Sequence, residues 1–195
     1  MKRLRLRLLL LLLCLPLVAS AQAPGARPPY SQADVDFMTG MIVHHAQALV
    51  MAAWAPSHGA NESVRILCER IIVAQTDEIN ATKRWLAERG LPFPDTASHQ
   101  HDMPGMTHAM MPGMLTAGQL QQLQQARGPD FDRLFLTFMI QHHQGAITMV
   151  EALLDTPGAV QDGVIYRFAT DVNADQLSEI DRMRRMLAAM TTQGR

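Results

Sequence analysis

Two pairs of adjacent histidines, 98 residues apart in the sequence, are the residues of this chain best suited to chemistry. Each pair has a methionine on either side along the chain. The first set is Met41, His44, His45 and Met51, and the second set is Met139, His142, His143 and Met149. Imidazole nitrogen and thioether sulfur are ligands for copper, and thioether sulfur favours Cu(I). The pattern therefore predicts metal binding, with copper as the metal and Cu(I) as its favoured state.

The two pairs lie on matching helical stripes. Residues three, four and seven apart share one face of a helix. The stripes are Phe37, Met41, His44, Ala48 and Met51, and Phe135, Met139, His142, Ala146 and Met149. If the two helices face each other, four imidazoles and four thioethers approach one axis. The alternative is that these residues only fill a core, because methionine is common in cores and a duplication copies core residues too.

A second group of methionines and histidines lies between the two pairs. It comprises His99, His101, Met103, Met106, His108, Met110, Met111 and Met114. The tetrapeptide Met-Pro-Gly-Met occurs twice within it, and proline and glycine oppose a regular helix. Spaced methionines in a loop are typical of a labile site for Cu(I) or Ag(I). The alternative is an apolar loop that packs under the helices.

Four polar residues on the partner helices bear on the same site. Gln75 and Glu78 are separated by two residues, and Gln176 and Glu179 repeat that spacing. They either hydrogen-bond to the paired histidines or form a solvated edge. Imidazole must be neutral to bind a metal, so we expect binding at the pairs to weaken below about pH 6.5, whereas thioethers bind over a wide pH range.

Composition limits the classes of protein to consider. The chain has 195 residues, 48% of them hydrophobic, and a formal net charge of −1. This apolar fraction can build a core, which excludes a disordered chain, and one domain or two small ones fit the length. With no excess of positive charge, a nucleic-acid partner is not expected.

The first 21 residues read as a secretory signal peptide. Lys2, Arg3 and two further arginines precede the apolar run from Leu8 to Val18, and small residues from Ala19 to Ala21 suit cleavage after Ala21. The run is too short to span a bilayer comfortably, so we expect no membrane span after cleavage. The predicted location is the periplasm or the extracellular space. Cys68 then remains alone, and its apolar neighbours predict a buried thiol.

After the linker, helical periodicity occurs in five segments, and no strand pattern occurs. The predicted helices run from about Ser31 to Ala55, Asn61 to Arg89, Thr116 to Ala126, Gly128 to Thr156 and Val160 to Met190. Ser31 with Asp34, and Thr116 with Gln119, have capping-box spacing. The predicted organisation is a signal peptide (1–21), a linker (22–30) and a helical bundle (31–191), the last divided into repeat one (31–90), a Met/His-rich loop (94–115), a short helix (116–126) and repeat two (128–191).

The two repeats align without a gap. Nine positions between Asp34 and Met51 recur 98 residues later, and four positions of the partner helices recur at an offset of 101. Asp34 and Asp132 both fall in first turns, where the helix dipole favours negative charge, so we interpret them as structural. One helix pair cannot bury its apolar stripe alone, so two pairs are expected to form an all-α, four-helix bundle.

The double-histidine segments resemble the domain of unknown function 305 family. The matching motifs are Phe37-x-x-x-Met41-Ile42-Val43-His44-His45-Ala46-Gln47-Ala48-x-x-Met51, its counterpart from Gly128 to Met149, and Ala74-Gln75-x-x-Glu78-Ile79 with Trp85-Leu86. The resemblance covers residues 31 to 190 and implies a ferritin-like four-helix bundle. Some members, the CopM-like proteins, are secreted or periplasmic copper binders linked to copper resistance. The first pair has Val43, Ala46 and Gln47 where the second has Gln141, Gln144 and Gly145, so the two sites need not be equivalent.

Three functions are compatible with these patterns. The first is a periplasmic or secreted protein that buffers or transfers copper, with other copper-handling proteins as partners. The second is a structural or partner-binding bundle without metal. The third is a ferritin-like redox enzyme, which would need Glu-x-x-His motifs that this chain lacks. The copper-binding function is favoured, and no enzymatic activity is expected.

Overall fold

The computed structural model describes residues 28–95 and 111–193, and within them the chain forms five α-helices and no strand. The helices are α1 (Gln32–Ala53), α2 (Glu62–Ala87), α3 (Ala117–Gln125), α4 (Gly128–Leu154) and α5 (Gly163–Gln193). The predicted signal peptide, most of the linker and the central part of the Met/His-rich loop lie outside the described residues. The all-helical prediction is confirmed.

Local capping residues set the helix ends. The Ser31–Asp34 and Thr116–Gln119 capping boxes both form, with each side chain bonded to the other residue's backbone. Helix α5 starts at Gly163, three residues after the start expected near Val160. The Asp162 carboxylate accepts the Val164 N–H at 2.9 Å, which satisfies a free donor at the start of this helix.

Helix packing brings the double-histidine helices together. Helix α1 packs mainly along α2, and α4 packs mainly along α5. Helices α1 and α4 also contact each other, and the short α3 touches both of them. The two histidine pairs therefore lie on facing helices inside the molecule.

The interior consists of two hydrophobic clusters. The Phe135 cluster includes Met51, Leu67, Phe135, Met139 and Met183. The Phe37 cluster includes Phe37, Met41, Ile79, Val150 and Val172. Each of the four long helices contributes to both clusters. Between its two contributions, each of these helices carries polar residues, which together we name the polar layer: His44, His45, Gln75, Glu78, His142, His143, Gln176 and Glu179.

Two buried aspartates connect the halves of the chain. Asp34, at the start of α1, accepts the Val160 N–H at 2.8 Å. Asp132, near the start of α4, accepts the Asn61 side-chain amide at 2.6 Å and its backbone N–H at 3.2 Å. Burial raises the pKa of Asp132, and the bonds from Asn61 partly oppose that change. The predicted structural role therefore includes binding the loop of the opposite half, in addition to the helix dipole.

No helix in the described part of the chain combines the length and apolar character needed to cross a membrane.

Candidate metal centre

The four paired histidines form a buried group at the centre of the polar layer. His44, His142 and His143 have no exposed surface, and His45 is 1% exposed. The rings of His44 and His142 lie face to face at a tilt, with centroids 3.8 Å apart. The helices thus bring the two pairs into direct contact at His44 and His142.

In three of these rings, the Nε2 atom lies within hydrogen-bond distance of an oxygen atom. His44 Nε2 lies 3.0 Å from the Pro112 carbonyl oxygen, and His142 Nε2 lies 3.0 Å from the His44 carbonyl oxygen. His143 Nε2 lies 2.6 Å from the Glu179 carboxylate. A carbonyl or an ionised carboxylate only accepts, so Nε2 carries the proton and donates it. In a neutral ring, Nδ1 then holds a free lone pair.

The fourth ring repeats the contact with a carboxylate. His45 Nε2 lies 2.8 Å from Glu78 Oε2, although the two groups are not aligned as a hydrogen bond. The Glu78–His45 and Glu179–His143 contacts occupy matching positions in the two halves. Of the two alternatives for the four polar residues, contact with the paired histidines is the one found for Glu78 and Glu179, and within the described part of the chain no such hydrogen bond is found for Gln75. A carboxylate behind an imidazole is the usual way of orienting a metal-binding histidine.

Unpartnered buried atoms are concentrated in this layer. Among the described residues, ten buried side-chain nitrogen and oxygen atoms have no hydrogen-bond partner, and nine of them belong to the polar layer. They include Nδ1 of all four paired histidines, both amide atoms of Gln75 and the amide oxygen of Gln176. Buried polar groups in proteins are almost always satisfied, so such a concentration calls for water or an ion between them.

The pKa values of the central histidines are strongly lowered. Burial, followed by the charge of His45, lowers the pKa of His44 to about 3. Burial, followed by the charge of His44, also lowers the pKa of His142 well below its usual value. Both rings are therefore neutral at physiological pH. The expectation that binding weakens below pH 6.5 is therefore wrong for these two residues, because protons compete only at lower pH.

The end of the Met/His-rich loop docks against the histidines. Gln47 holds it with two bonds, from its amide nitrogen to the Leu115 carbonyl at 3.1 Å and from the Leu115 N–H to its amide oxygen at 2.8 Å. Opposite, Gly145 leaves room for the Pro112 backbone, since a Cβ at this glycine would lie 2.0 Å from the Pro112 oxygen. The end of the loop therefore packs against His44 through the Pro112 carbonyl.

The methionines of the two stripes separate into two groups. Met51 and Met139 belong to the Phe135 cluster, whereas Met41 and Met149 belong to or pack against the Phe37 cluster. The four thioethers therefore lie in two clusters, two on each side of the polar layer, and their approach to one common axis stays a prediction. Met111 of the loop joins the second group, because its sulfur and the Met149 methyl lie 3.7 and 3.4 Å from where a Cβ on Gly40 would be.

The remaining predicted ligands have different outcomes. Met114 is buried at the docked end of the loop. The other six lie outside the described residues: His99, His101, Met103, Met106, His108 and Met110. Within residues 28–95 and 111–193, no three His, Cys, Asp or Glu side chains are grouped so that they could hold a metal by themselves. A metal in the polar layer would need thioether or amide ligands as well.

Sequence reasoning missed the roles of Gln47, at the site, and of His58, away from it. Gln47 was noticed only as a difference between the repeats, although it anchors the loop. His58 is a buried histidine outside the pairs, and both of its ring nitrogens have partners, the Ser57 hydroxyl at 2.9 Å and the Gln124 carbonyl at 2.8 Å. His58 is therefore a structural histidine. The sequence did hold a signal for this structural role, because His58 has no second histidine beside it and lies on neither methionine-containing stripe.

Cys68 is a buried thiol, as predicted. It is 2% exposed within the Phe135 cluster. Burial raises its pKa to about 12, so it does not form a thiolate at neutral pH.

The sequence pattern that defines the "Domain of unknown function (DUF305)" family matches residues 34–187. The chain belongs to the DUF305 family. This confirms the resemblance seen in the double-histidine motifs.

Solved structures of DUF305 proteins have the same fold. A DUF305 protein of Streptomyces coelicolor, named as a proposed secreted protein, is 30% identical with a TM-score of 0.68, over 82% of this chain and 94% of that one. CopM in its Cu(II)-bound form is 24% identical with a TM-score of 0.61, over 83% of this chain and 99% of that one. CopM has also been solved in Cu(I)-bound, Ag-bound and apo forms.

One curated protein is similar over a short stretch. The "Uncharacterized protein L153" of Acanthamoeba polyphaga mimivirus is 34% identical over 58 residues, which cover 30% of this chain and 38% of that protein. The chain thus spans well under half of that relative.

Proposed function

We propose that this DUF305 protein binds copper outside the cytoplasm, favouring Cu(I) and accepting Cu(II), and buffers it or transfers it to other proteins. The observation that carries the proposal is the set of four buried Nδ1 atoms without a partner. Three of these rings are oriented by an oxygen at Nε2, which leaves Nδ1 as the atom free to bind. That arrangement is typical of histidines that ligate a metal.

The neighbouring sulfur atoms favour copper over other metals. Met111 and Met149 lie together one helical turn from His44, so a set of imidazole nitrogens and thioether sulfurs is available at the loop side of the polar layer. Thioethers select Cu(I) and Ag(I), and imidazole accepts both copper states. The fold shared with CopM, whose solved structures hold Cu(II), Cu(I) and Ag, supports the same metal class.

The wider role follows from the sequence. We propose that residues 1–21 direct export and that the exported chain works in the periplasm or extracellular space, as a ferritin-like four-helix bundle made of two duplicated helix pairs. The loop residues between His99 and Met114 are proposed as a labile site for Cu(I) or Ag(I). The role is proposed to be non-catalytic, with a metal ion as the cargo.

A titration with Ag⁺, read by native mass spectrometry, tests the metal site. We expect the wild-type protein to bind Ag⁺ at a defined stoichiometry. A variant with His44→Gln and His142→Gln should lose at least one equivalent, because Gln cannot supply the imidazole nitrogens. His58→Gln is the matched control, since His58 is a buried histidine whose nitrogens are already bonded.

The same titration distinguishes the alternative. If the wild type binds no Ag⁺, a structural bundle is the better description. If the double variant binds as much as His58→Gln, the paired histidines only fill the core, and any binding belongs to the loop. Circular dichroism on each variant establishes that a loss of binding is not a loss of fold.

A further inference from the structure

A cavity at the surface of the bundle is lined mainly by cationic side chains. It has a volume of about 420 Å³ and is open to solvent. Helix α2 contributes Arg70 to its lining, and α5 contributes Arg182 and Arg185. A guanidinium group stays protonated in proteins, so all three residues keep their positive charge. The cavity is therefore suited to an anion, in contrast to the paired histidines.

The three cavity arginines have no carboxylate partner within residues 28–95 and 111–193. The arginine ion pairs in these ranges are those of Arg89, Arg133 and Arg184. Arg184 is next to Arg185 in the sequence, yet its guanidinium group pairs with Asp181 at 3.7 Å. The positive charges of the cavity are thus left for a ligand from outside to neutralise.

The charge of the lining indicates the charge of that ligand. Among the described residues that line the cavity, Glu179 is the one carboxylate, and its Oε2 atom is 2.6 Å from His143 Nε2. Three guanidinium groups and one carboxylate give the lining a formal charge of +2. The whole chain has a formal net charge of −1, so this local excess is not a general property of the protein. A dianion complements the cavity best.

The uncharged part of the lining indicates the size and polarity of the ligand. Ser178 adds a hydroxyl group that can donate a hydrogen bond. Met186 and Ala189 add apolar surface, and Met186 also packs against the Phe135 cluster. The volume of about 420 Å³ is within the range of sites for small organic molecules. The apolar wall therefore suits a carbon skeleton attached to the anionic group.

We propose that this cavity binds a small organic phosphate, with the phosphate group held by Arg70, Arg182 and Arg185 and the carbon skeleton placed against Met186 and Ala189. A phosphate monoester has a charge of about −1.5 to −2 at pH 7 and three acceptor oxygens. Guanidinium groups bind such oxygens in a bidentate manner, which favours arginine at phosphate sites. This anion site goes beyond the proposed copper function and does not depend on it.

A titration of the metal-free protein with glycerol phosphate, followed by two-dimensional NMR of the ¹⁵N-labelled chain, tests the site. We expect a Kd of about 1 mM or lower at low ionic strength. The largest amide shifts should occur around Arg70 and between Ser178 and Ala189. Inorganic phosphate should bind about threefold more weakly, because it has no carbon skeleton to bury. Succinate, a dianion of two carboxylates, should also bind more weakly than glycerol phosphate.

Charge variants test which arginines hold the ligand. Arg182→Gln should weaken binding of glycerol phosphate about tenfold, because it removes a charge-assisted hydrogen bond. Arg184→Gln is the matched control, since it makes the same change on the same helix at an arginine that pairs with Asp181 outside the lining. Its Kd should stay close to that of the wild type. Arg70→Gln should also weaken binding, and it tests the site from α2 if replacement of Arg182 disturbs α5.

Several outcomes would overturn the proposal. They are no amide shifts with glycerol phosphate, shifts confined to other parts of the molecule, or equal weakening by Arg182→Gln and Arg184→Gln, which would indicate a general attraction of charges. Equal affinity for inorganic phosphate contradicts an organic ligand, and tighter binding of succinate contradicts a phosphate. Binding to phosphatidylcholine vesicles that contain phosphatidic acid, without binding of glycerol phosphate, would replace the small molecule by a lipid surface. The titration contains no metal, so a failure of the copper function leaves its result unchanged.

Discussion

The two halves of the molecule, residues 31–90 and 128–191, match in their framework and differ where one loop meets them. In both halves, a glutamate of the second helix contacts the second histidine of the pair. In both, an aspartate at the start of the first helix binds the loop of the opposite half. The glutamate contacts hold a histidine in each half, and the aspartate contacts join each half to the other.

One pair of equivalent positions shows how the loop changes the repeat. Gln47 and Gly145 are 98 residues apart and occupy the same place in the two halves. Gln47 forms two hydrogen bonds with the Leu115 backbone, whereas Gly145, which has no Cβ, leaves space for the Pro112 backbone. The loop is present once and must lie on both helices, so one position supplies an anchor and the other supplies space. The departure from strict repetition therefore reflects loop docking.

The same asymmetry extends to the histidines. His44 donates from Nε2 to the loop, and His142 donates from Nε2 to the backbone of α1. If the loop moves, only His44 loses its partner. Among the paired histidines, the loop therefore orients only His44.

The largest expected effect comes from filling the space at Gly145. Gly145→Ala places a Cβ 2.0 Å from the Pro112 oxygen, and the clash is with backbone, so the loop must move. We expect a loss of about 3 kcal/mol in the free energy of unfolding, measured by chemical denaturation. Gly118→Ala is the control, because the nearest atom there is 3.9 Å away.

A double-mutant cycle sharpens this result. In the Gly145→Ala background, Gln47→Ala should cost less than it does alone, since the loop has already left its anchor. Fully additive costs would mean that the two positions do not act on one docked loop.

A change of intermediate size in the free energy of unfolding is expected between two pH values, and it tests whether His44 and His142 are equivalent. Both have lowered pKa values in the folded protein, so the unfolded chain binds more protons below its own histidine pKa of 6.5. Stability is therefore full above pH 6.5 and falls as pH drops toward the folded values. We expect the metal-free protein to lose about 3 kcal/mol between pH 7.5 and pH 5.5, about half from each residue.

Denaturation curves at the two pH values measure this loss. His44→Gln and His142→Gln should each remove about half of the pH dependence. A pH dependence that survives both substitutions would show that other groups are responsible.

The smallest effect concerns the loops between paired helices. Val160 has φ of 51°, and Gly59, its equivalent at an offset of 101, has φ of 68°. A β-branched residue is strained in this region, whereas glycine is not. Val160→Gly should raise the free energy of unfolding by about 1 kcal/mol, measured by chemical denaturation.

The reverse substitution completes the comparison. Gly59→Ala should lower stability by a similar amount, because it places a side chain at the same positive φ. If Val160→Gly destabilises the protein, the apolar contacts of the half-buried Val160 outweigh its strain.

The sequence alone was enough to predict the helices, the matched stripes and the central histidines. Helical periodicity and capping residues act locally, so Ser31 with Asp34 and Thr116 with Gln119 could be assigned from spacing. Duplication made His44 and His142 equivalent before their positions were known. The family also followed from these motifs, since it is defined by the same local pattern.

Tertiary structure decided which atoms of these residues are free and which are bonded. The orientation of His44 depends on Pro112, 68 residues away, and no spacing rule could reveal that a carbonyl would hold Nε2 and leave Nδ1 unpartnered. The division of Met41 and Met51 between two clusters depends on how four helices stack, because a helical stripe is longer than the polar layer it crosses. The pKa of His44 likewise comes from burial, which is a property of the whole assembly of helices and not of its own segment.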